Sequence, residues 1–234
     1  MRHFKNFKTC VYCTAQTLAS LDETTLARDY AYLEKYVGID KVYLETYRDG
    51  TWVAIDHMKM IQNFFKEHGV EIAGGITTVT PPLEKDDAKR QRLFQTFCYS
   101  NEAMRTYLKK IVTYTAELFD EIILDDFFFT SCTCDDCLRE RSNLSWAEFR
   151  SKKMIDVAEN LVLKPAKLAN PSVKVTIKYP NWRESYHETG YVPKIQPSMF
   201  DKIYTGTETR NTAHTDLLVV PGKRRNRVGL SGVR

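Results

Sequence analysis

The chain has 234 residues, 43% of them hydrophobic and 12% aromatic, enough to fill a sizeable core in one or two globular domains. No apolar run is long enough to span a bilayer, and the basic first residues lead into a stretch broken by Thr14, Gln16 and Thr17, too polar for a signal peptide. No membrane partner is therefore expected, and a cytoplasmic location is favoured. The net charge of +4 is concentrated at one end: the last thirteen residues hold Lys223, Arg224, Arg225, Arg227 and Arg234 and no acid, so the remainder is almost neutral. A short basic tail over residues 221–234 attracts phosphate without selectivity and reads as a solvated end, so nucleic acid is not expected as a partner either.

In chain order, short β-branched or aromatic runs alternate with longer amphipathic segments, the rhythm of repeated strand–helix units. Residues 7–14 read as a first strand. Asp22 or Thr24 can cap a helix to residue 37, with Leu26, Tyr30, Leu33 and Val37 on one face and Gly38 ending it. Residues 42–46 make a second strand that delivers Glu45. A helix over 55–68 follows, striped by Met58, Ile61, Phe64 and Phe65, and a third strand spans 70–78 before the breaker Pro81-Pro82. The charged segment 83–100 brings in Cys98. A periodic helix over 102–119 leads to a fourth strand at 121–126, ending in Asp125 and Asp126.

Ser145 and Glu148 have capping-box spacing at the head of a helix to residue 163. Strands at 173–178 and 203–207 complete about six units, with a short helical piece near 197–200 between them. Parallel strands with right-handed crossovers close into an eight-stranded barrel or stay an open sheet. Without a Gly-x-Gly-x-x-Gly or Walker-type loop the barrel is the better reading: a TIM-type (β/α)8 domain over residues 1–220, apparently cut short. A missing closure would leave a strand edge open to association with a second copy.

Acidic and aromatic residues gather at the strand ends: Glu45, Asp125, Asp126, Tyr179, Trp182 and Glu208. The C-terminal strand ends are where a barrel carries out chemistry. Duller readings stand beside this one. Asp125 or Asp126 can cap the following turn, Glu45 and Glu208 can pair with Arg48 and Arg210 on the surface, and Tyr179 and Trp182 can cover the core or offer ring faces to a sugar. Lys178, costly if unpaired in a barrel, is expected to face a carboxylate such as Asp125.

Cys132, Cys134 and Cys137 form a Cys-x-Cys-x-x-Cys run directly after the fourth strand. Three thiols in one tight turn suit a soft tetrahedral ion such as zinc, and Cys98 is the best candidate for the fourth ligand. Such a site is closed and structural. Disulfides and free thiols are the competing readings. Cys10 and Cys13, on a strand, are read as small buried apolar residues.

The stretch from Cys98 through Asp125-Asp126-Phe127 and the cysteine run to Trp146-Ala-Glu-Phe-Arg150 resembles the central part of glycoside hydrolase family 42 β-galactosidases and related glycosyl hydrolase barrels. The resemblance implies a (β/α)8 fold, a carbohydrate substrate and a zinc held by Cys98, Cys132, Cys134 and Cys137. It covers roughly residues 95–150. That family ends its fourth strand Asp-Asn-Glu with the glutamate as acid/base, whereas this chain reads Asp125-Asp126-Phe127, and the family's nucleophile strand has no counterpart here.

Similarity to the α-galactosidase-like clan, with an aspartate nucleophile on strand four and an acid/base on strand six, makes Asp125 the nucleophile candidate and Glu208 the acid/base candidate. Asp126 is the adjacent alternative, and Glu45, Lys178, Tyr179 and Trp182 are candidate substrate contacts. The expected function is glycosidic bond hydrolysis by strand-end carboxylates. The alternative is a zinc-stabilised carbohydrate-binding or scaffold protein without turnover. A metal-dependent hydrolase with aspartate ligands is weaker, because no histidine set accompanies them.

Overall fold

The structure, a computed structural model, describes residues 4–80, 91–125, 127–180 and 185–206. Seven strands form one sheet: β1 (Cys10–Cys13), β2 (Lys41–Arg48), β3 (Thr51–Trp52), β4 (Glu71–Ile76), β5 (Glu121–Leu124), β6 (Lys174–Tyr179) and β7 (Lys202–Thr205). Six of them run parallel in the order β1-β2-β4-β5-β6-β7, and β3 is a short antiparallel partner of β2. The sheet curls into half of a TIM-type barrel, with helices on its convex side.

Those helices are α1 (Ala15–Ser20), α2 (Glu23–Tyr36), α3 (Ile55–Glu67), α4 (Glu102–Leu118), α5 (Asp135–Arg141), α6 (Trp146–Val157), α7 (Lys164–Ala169) and α8 (Tyr186–Thr189). Local chemistry starts and stops the long ones. Asp22 and Thr25 form a reciprocal capping box on α2, which ends where the amides of Val37 and Gly38 both return to Leu33 O, with Gly38 at φ 72°. Asn101 caps α4 by accepting from Met104 N at 3.0 Å, and Ser145 and Glu148 form the expected box on α6.

The expected helix over 145–163 is instead α6 followed by a π-helical turn, Ala158–Leu163, and α7. Sequence periodicity misses α1, β3 and α5, each too short to show a period. The first strand is also shorter than expected: it begins at Cys10, and Thr14 leaves it to cap α1.

Side chains alternate across the sheet. Val42, Leu44, Ile76, Ile122, Leu124, Val175 and Ile177 join the main core against the helices, while Tyr43, Ala73 and Ile123 form a separate concave-face cluster with Tyr12. Gly75 is required on that face. A Cβ there would stand 2.7 Å from the Tyr12 hydroxyl and 2.9 Å from its ring, closer than any side chain tolerates.

Alternation breaks once in β2. The pairing with β4 runs Glu45↔Gly75 and then Tyr47↔Ile76, so Thr46 is the extra residue of a bulge. Thr46 meets Thr115 of α4 at 2.6 Å, and Tyr47 is buried with its ring 5.1 Å from that of Trp52. Arg48 thereby returns to the face that carries Glu45. The reading of Cys10 and Cys13 as buried small apolar residues is corrected: Cys10 is exposed and Cys13 only partly covered, because among the described residues the outer strand β1 has a hydrogen-bonded neighbour on one side only.

Candidate active site and metal centre

At the C-terminal end of the parallel strands, Tyr12, Glu45, Arg48, Thr77, Asp125 and Lys178 form one polar network on the concave side. Glu45 is its buried hub, with 0% exposure. Its Oε1 accepts from the Tyr12 hydroxyl at 2.9 Å and from Thr77 Oγ1, and its Oε2 accepts from Ala15 N at 2.7 Å and Arg48 Nε at 2.8 Å. A carboxylate has about four lone-pair sites. All are occupied, which is what makes a fully buried negative charge tolerable. Burial and the neighbouring Glu45 push the Tyr12 hydroxyl well above its usual pKa, so it remains a neutral donor.

Arg48 links this hub to the strand tip. Its Nη2 donates to Thr77 Oγ1 at 2.9 Å and to Asp125 Oδ2 at 3.4 Å, and its guanidinium lies 5.7 Å from the centre of the Phe127 ring. On the other side, Lys178 Nζ donates to Asp125 Oδ1 at 3.2 Å, the pairing expected from sequence. Asp125 follows β5, and its own amide donates to Ile76 O at 3.1 Å, which fixes the carboxylate between β4 and β6. With 12% of its side chain exposed, it is largely covered and yet open to the concave side.

Of the residues read from sequence, Glu45, Asp125 and Lys178 therefore meet in one place. Tyr179 does not join them. It lies on the other face of β6 from Lys178, packed 5.9 Å from Tyr186 and 5.5 Å from Tyr191, and so covers the core. Asp126, Trp182 and Glu208 lie outside the described residues. Glu45 does pair with Arg48, though inside the protein and not on its surface. Arg48, Thr77 and Tyr12 were missed as site residues; the bulge that turns Arg48 inward leaves no mark in the sequence pattern.

The loop after Asp125 leads to the cysteines. Cys134 is the N-cap of α5 and Cys137 lies one turn later, so their sulfurs share a face. Cys98 arrives from the turn before α4, where its amide contacts Met104 Sδ at 3.1 Å and Asn101 N donates back to Cys98 O at 3.2 Å. The four sulfurs lie within 4.8 Å of one another, with Cys98 3.6 Å from both Cys134 and Cys137. A tetrahedral ion with metal–sulfur bonds of about 2.3 Å sets its sulfurs about 3.8 Å apart, whereas a disulfide needs about 2.05 Å. The set fits a metal ion, and all six cysteines are unpaired.

Hydrogen bonds from Cys137 and Cys98 hold the Cys132 thiol far below its usual pKa, and their bonds to Cys132 raise Cys98 and Cys137. A bound cation would draw off those remaining protons. Arg150 braces the loop by donating to Ser131 O at 3.2 Å and Glu188 O at 2.6 Å.

The half-barrel thus carries a braced carboxylate at its strand tips and a four-thiol cluster on the loop that follows. The chain belongs to the family described as "Probable glycosyl hydrolase, catalytic domain", whose model matches residues 1–223. It is 34% identical over 230 residues to an uncharacterized protein of Saccharolobus solfataricus, covering 88% of this chain and 38% of that one.

Among solved structures, it superposes on the β-galactosidase of the psychrophilic Marinomonas ef1 with a TM-score of 0.65 at 13% identity, over 94% of this chain and 43% of that one. The cold-adapted β-galactosidase of Rahnella sp. R3 gives 0.56 at 12% identity, over 86% and 39%. At such identities the likeness is one of fold. The chain spans about two fifths of the length of these relatives.

Proposed function

We propose that the protein is a glycoside hydrolase domain in which Asp125 acts on the anomeric carbon as the nucleophile and zinc in the four-cysteine site has a purely structural role. The observation that carries the reading is the setting of Asp125: a partly open carboxylate on a central strand tip, braced by Arg48 and Lys178, in a chain whose family is one of glycosyl hydrolases. Hydrolysis of a glycosidic bond requires a carboxylate on one side of the sugar and a proton donor on the other. Glu45 has no free lone pair for either task, so its part is to hold Arg48, and through it Asp125, in position. The proton donor in this reading is Glu208, with Asp126 as the neighbouring carboxyl group.

In this reading Lys178, which bonds Asp125, also meets a sugar hydroxyl, and Trp182 supplies a ring for the sugar face. The zinc assignment rests on the all-thiolate donor set, which leaves no open position for substrate. Zinc would fix the loop that carries Phe127 to Cys132, and so the surroundings of Asp125. The β-galactosidase specificity of family 42 is not part of the proposal, because the chain lacks the Asp-Asn-Glu strand end.

Turnover of a panel of aryl glycosides by the wild-type chain and Asp125→Asn tests the reading. A loss of at least about 10³-fold in kcat with an unchanged fold supports it. No turnover by the wild-type chain refutes it and leaves a zinc-stabilised binding or scaffold protein, whereas equal turnover by both refutes Asp125 as the nucleophile.

A further inference from the structure

Phe94 combines an exposed ring with a disfavoured backbone. It is 51% exposed, and it and Gln95 occupy the left-handed region at φ 50° and 55°, a conformation that bulky L-residues avoid. The strain is imposed from several sides. Leu93 N donates to Ser131 Oγ at 2.8 Å, Thr80 N to Gln95 O at 2.9 Å and Phe97 N to Thr78 O at 3.1 Å, and the buried Arg92 reaches Thr96 O at 2.5 Å. The turn is thus locked to β4's outgoing strand end on one side and to the loop before the cysteines on the other.

The lock holds the ring beside the active centre. Phe94 stands edge-to-face on Phe127 with centroids 5.2 Å apart, and Phe127 in turn lies under the guanidinium of Arg48, which holds Asp125. Contact with Phe127, and with Phe129 at 6.4 Å, covers one side of the ring and leaves the other in water. A conformation disfavoured for its residue and sustained by surrounding bonds points to a functional demand on the backbone. The face of an exposed phenyl ring is apolar and electron-rich, suited to the C–H face of a pyranose, while the sugar hydroxyls remain in water.

We infer that Phe94 is the platform of a second sugar subsite, one ring removed from the sugar at Asp125, so that the substrate is a saccharide of at least two units. The inference rests on the glycoside-hydrolase reading and narrows it. Binding, measured apart from turnover, separates the two.

The test is calorimetric titration of the full chain with galactobiose, cellobiose and xylobiose and with their monosaccharides. At least one disaccharide is expected to bind more tightly than its monosaccharide. Phe94→Ala should weaken that disaccharide by roughly tenfold and leave the monosaccharide unchanged, and Phe94→Tyr should restore it. Phe94→Gly keeps the left-handed turn without strain, so it should lose the binding while melting no lower than wild type. Disaccharide binding indifferent to Phe94→Gly and Phe94→Ala, or no disaccharide preferred over its monosaccharide, overturns the inference. A Phe94-dependent disaccharide site in a chain that turns over no glycoside supports it while removing the hydrolase reading.

Discussion

Glu45 and Arg48 face the same side of the sheet although three positions separate them, because Thr46 is bulged out of the β2–β4 register. In an unbroken strand the two would project to opposite faces. The bulge converts what would be a solvent arginine into the link between a sealed carboxylate and the strand tip at Asp125.

Removing that link has a cost in stability. Arg48→Met leaves Glu45 buried with one of its four donors gone and no countercharge, and should destabilise the fold by about 3 kcal/mol. Arg48→Lys should recover only part of this, since an ammonium group cannot reproduce the fork that reaches Glu45, Thr77 and Asp125 together. Urea denaturation of the three proteins measures both effects.

Gly75→Ala should destabilise by about 1–3 kcal/mol by forcing the new methyl group against the Tyr12 ring. In the background Tyr12→Phe the clash with the ring persists, whereas in Tyr12→Ala it disappears. Comparing the three backgrounds by thermal melting separates overpacking from loss of the hydroxyl bond to Glu45.

The long helices on the convex side of the sheet were legible in the sequence, and the reason is local. The capping signals at Asp22 and Ser145, the terminator Gly38 and the apolar stripe of α4 each act within a few residues, so they survive in a single sequence. The Cys98–Cys132–Cys134–Cys137 set was legible through spacing and resemblance together. What stayed hidden depends on register. Nothing local marks the Thr46 bulge, and Tyr179 was read as a site residue because the strand-end position was visible while the face it occupies was not. Phe94 gave no signal, since left-handed φ is not written in a phenylalanine.

Glu121 gives the fold a pH dependence. Burial would raise its pKa, but hydrogen bonds from Lys202 and Lys41, each at 2.7 Å, outweigh this and hold it below its usual 4.5. A carboxylate whose folded pKa is depressed adds stability above its unfolded pKa and loses it as pH falls through the folded value. The stability difference between wild type and Glu121→Gln should therefore be constant near neutral pH and shrink below about 4.5, as followed by urea denaturation across pH.

Metal removal tests the thiol cluster. Elemental analysis should find one zinc per chain, lost in Cys98→Ser. Either that variant or a strong chelator should lower the melting temperature by roughly 10 °C, because metal bound only by the folded state adds its binding energy to folding.

The most direct measurement of the central claim is covalent trapping at Asp125. Incubating the chain with a panel of 2-deoxy-2-fluoro aryl glycosides and mapping the product by peptide mass spectrometry should place a glycosyl adduct on the peptide that contains Asp125, with no adduct in Asp125→Asn. An adduct on a different carboxylate, or no adduct from any member of the panel that the chain hydrolyses in its non-fluorinated form, would contradict the assignment.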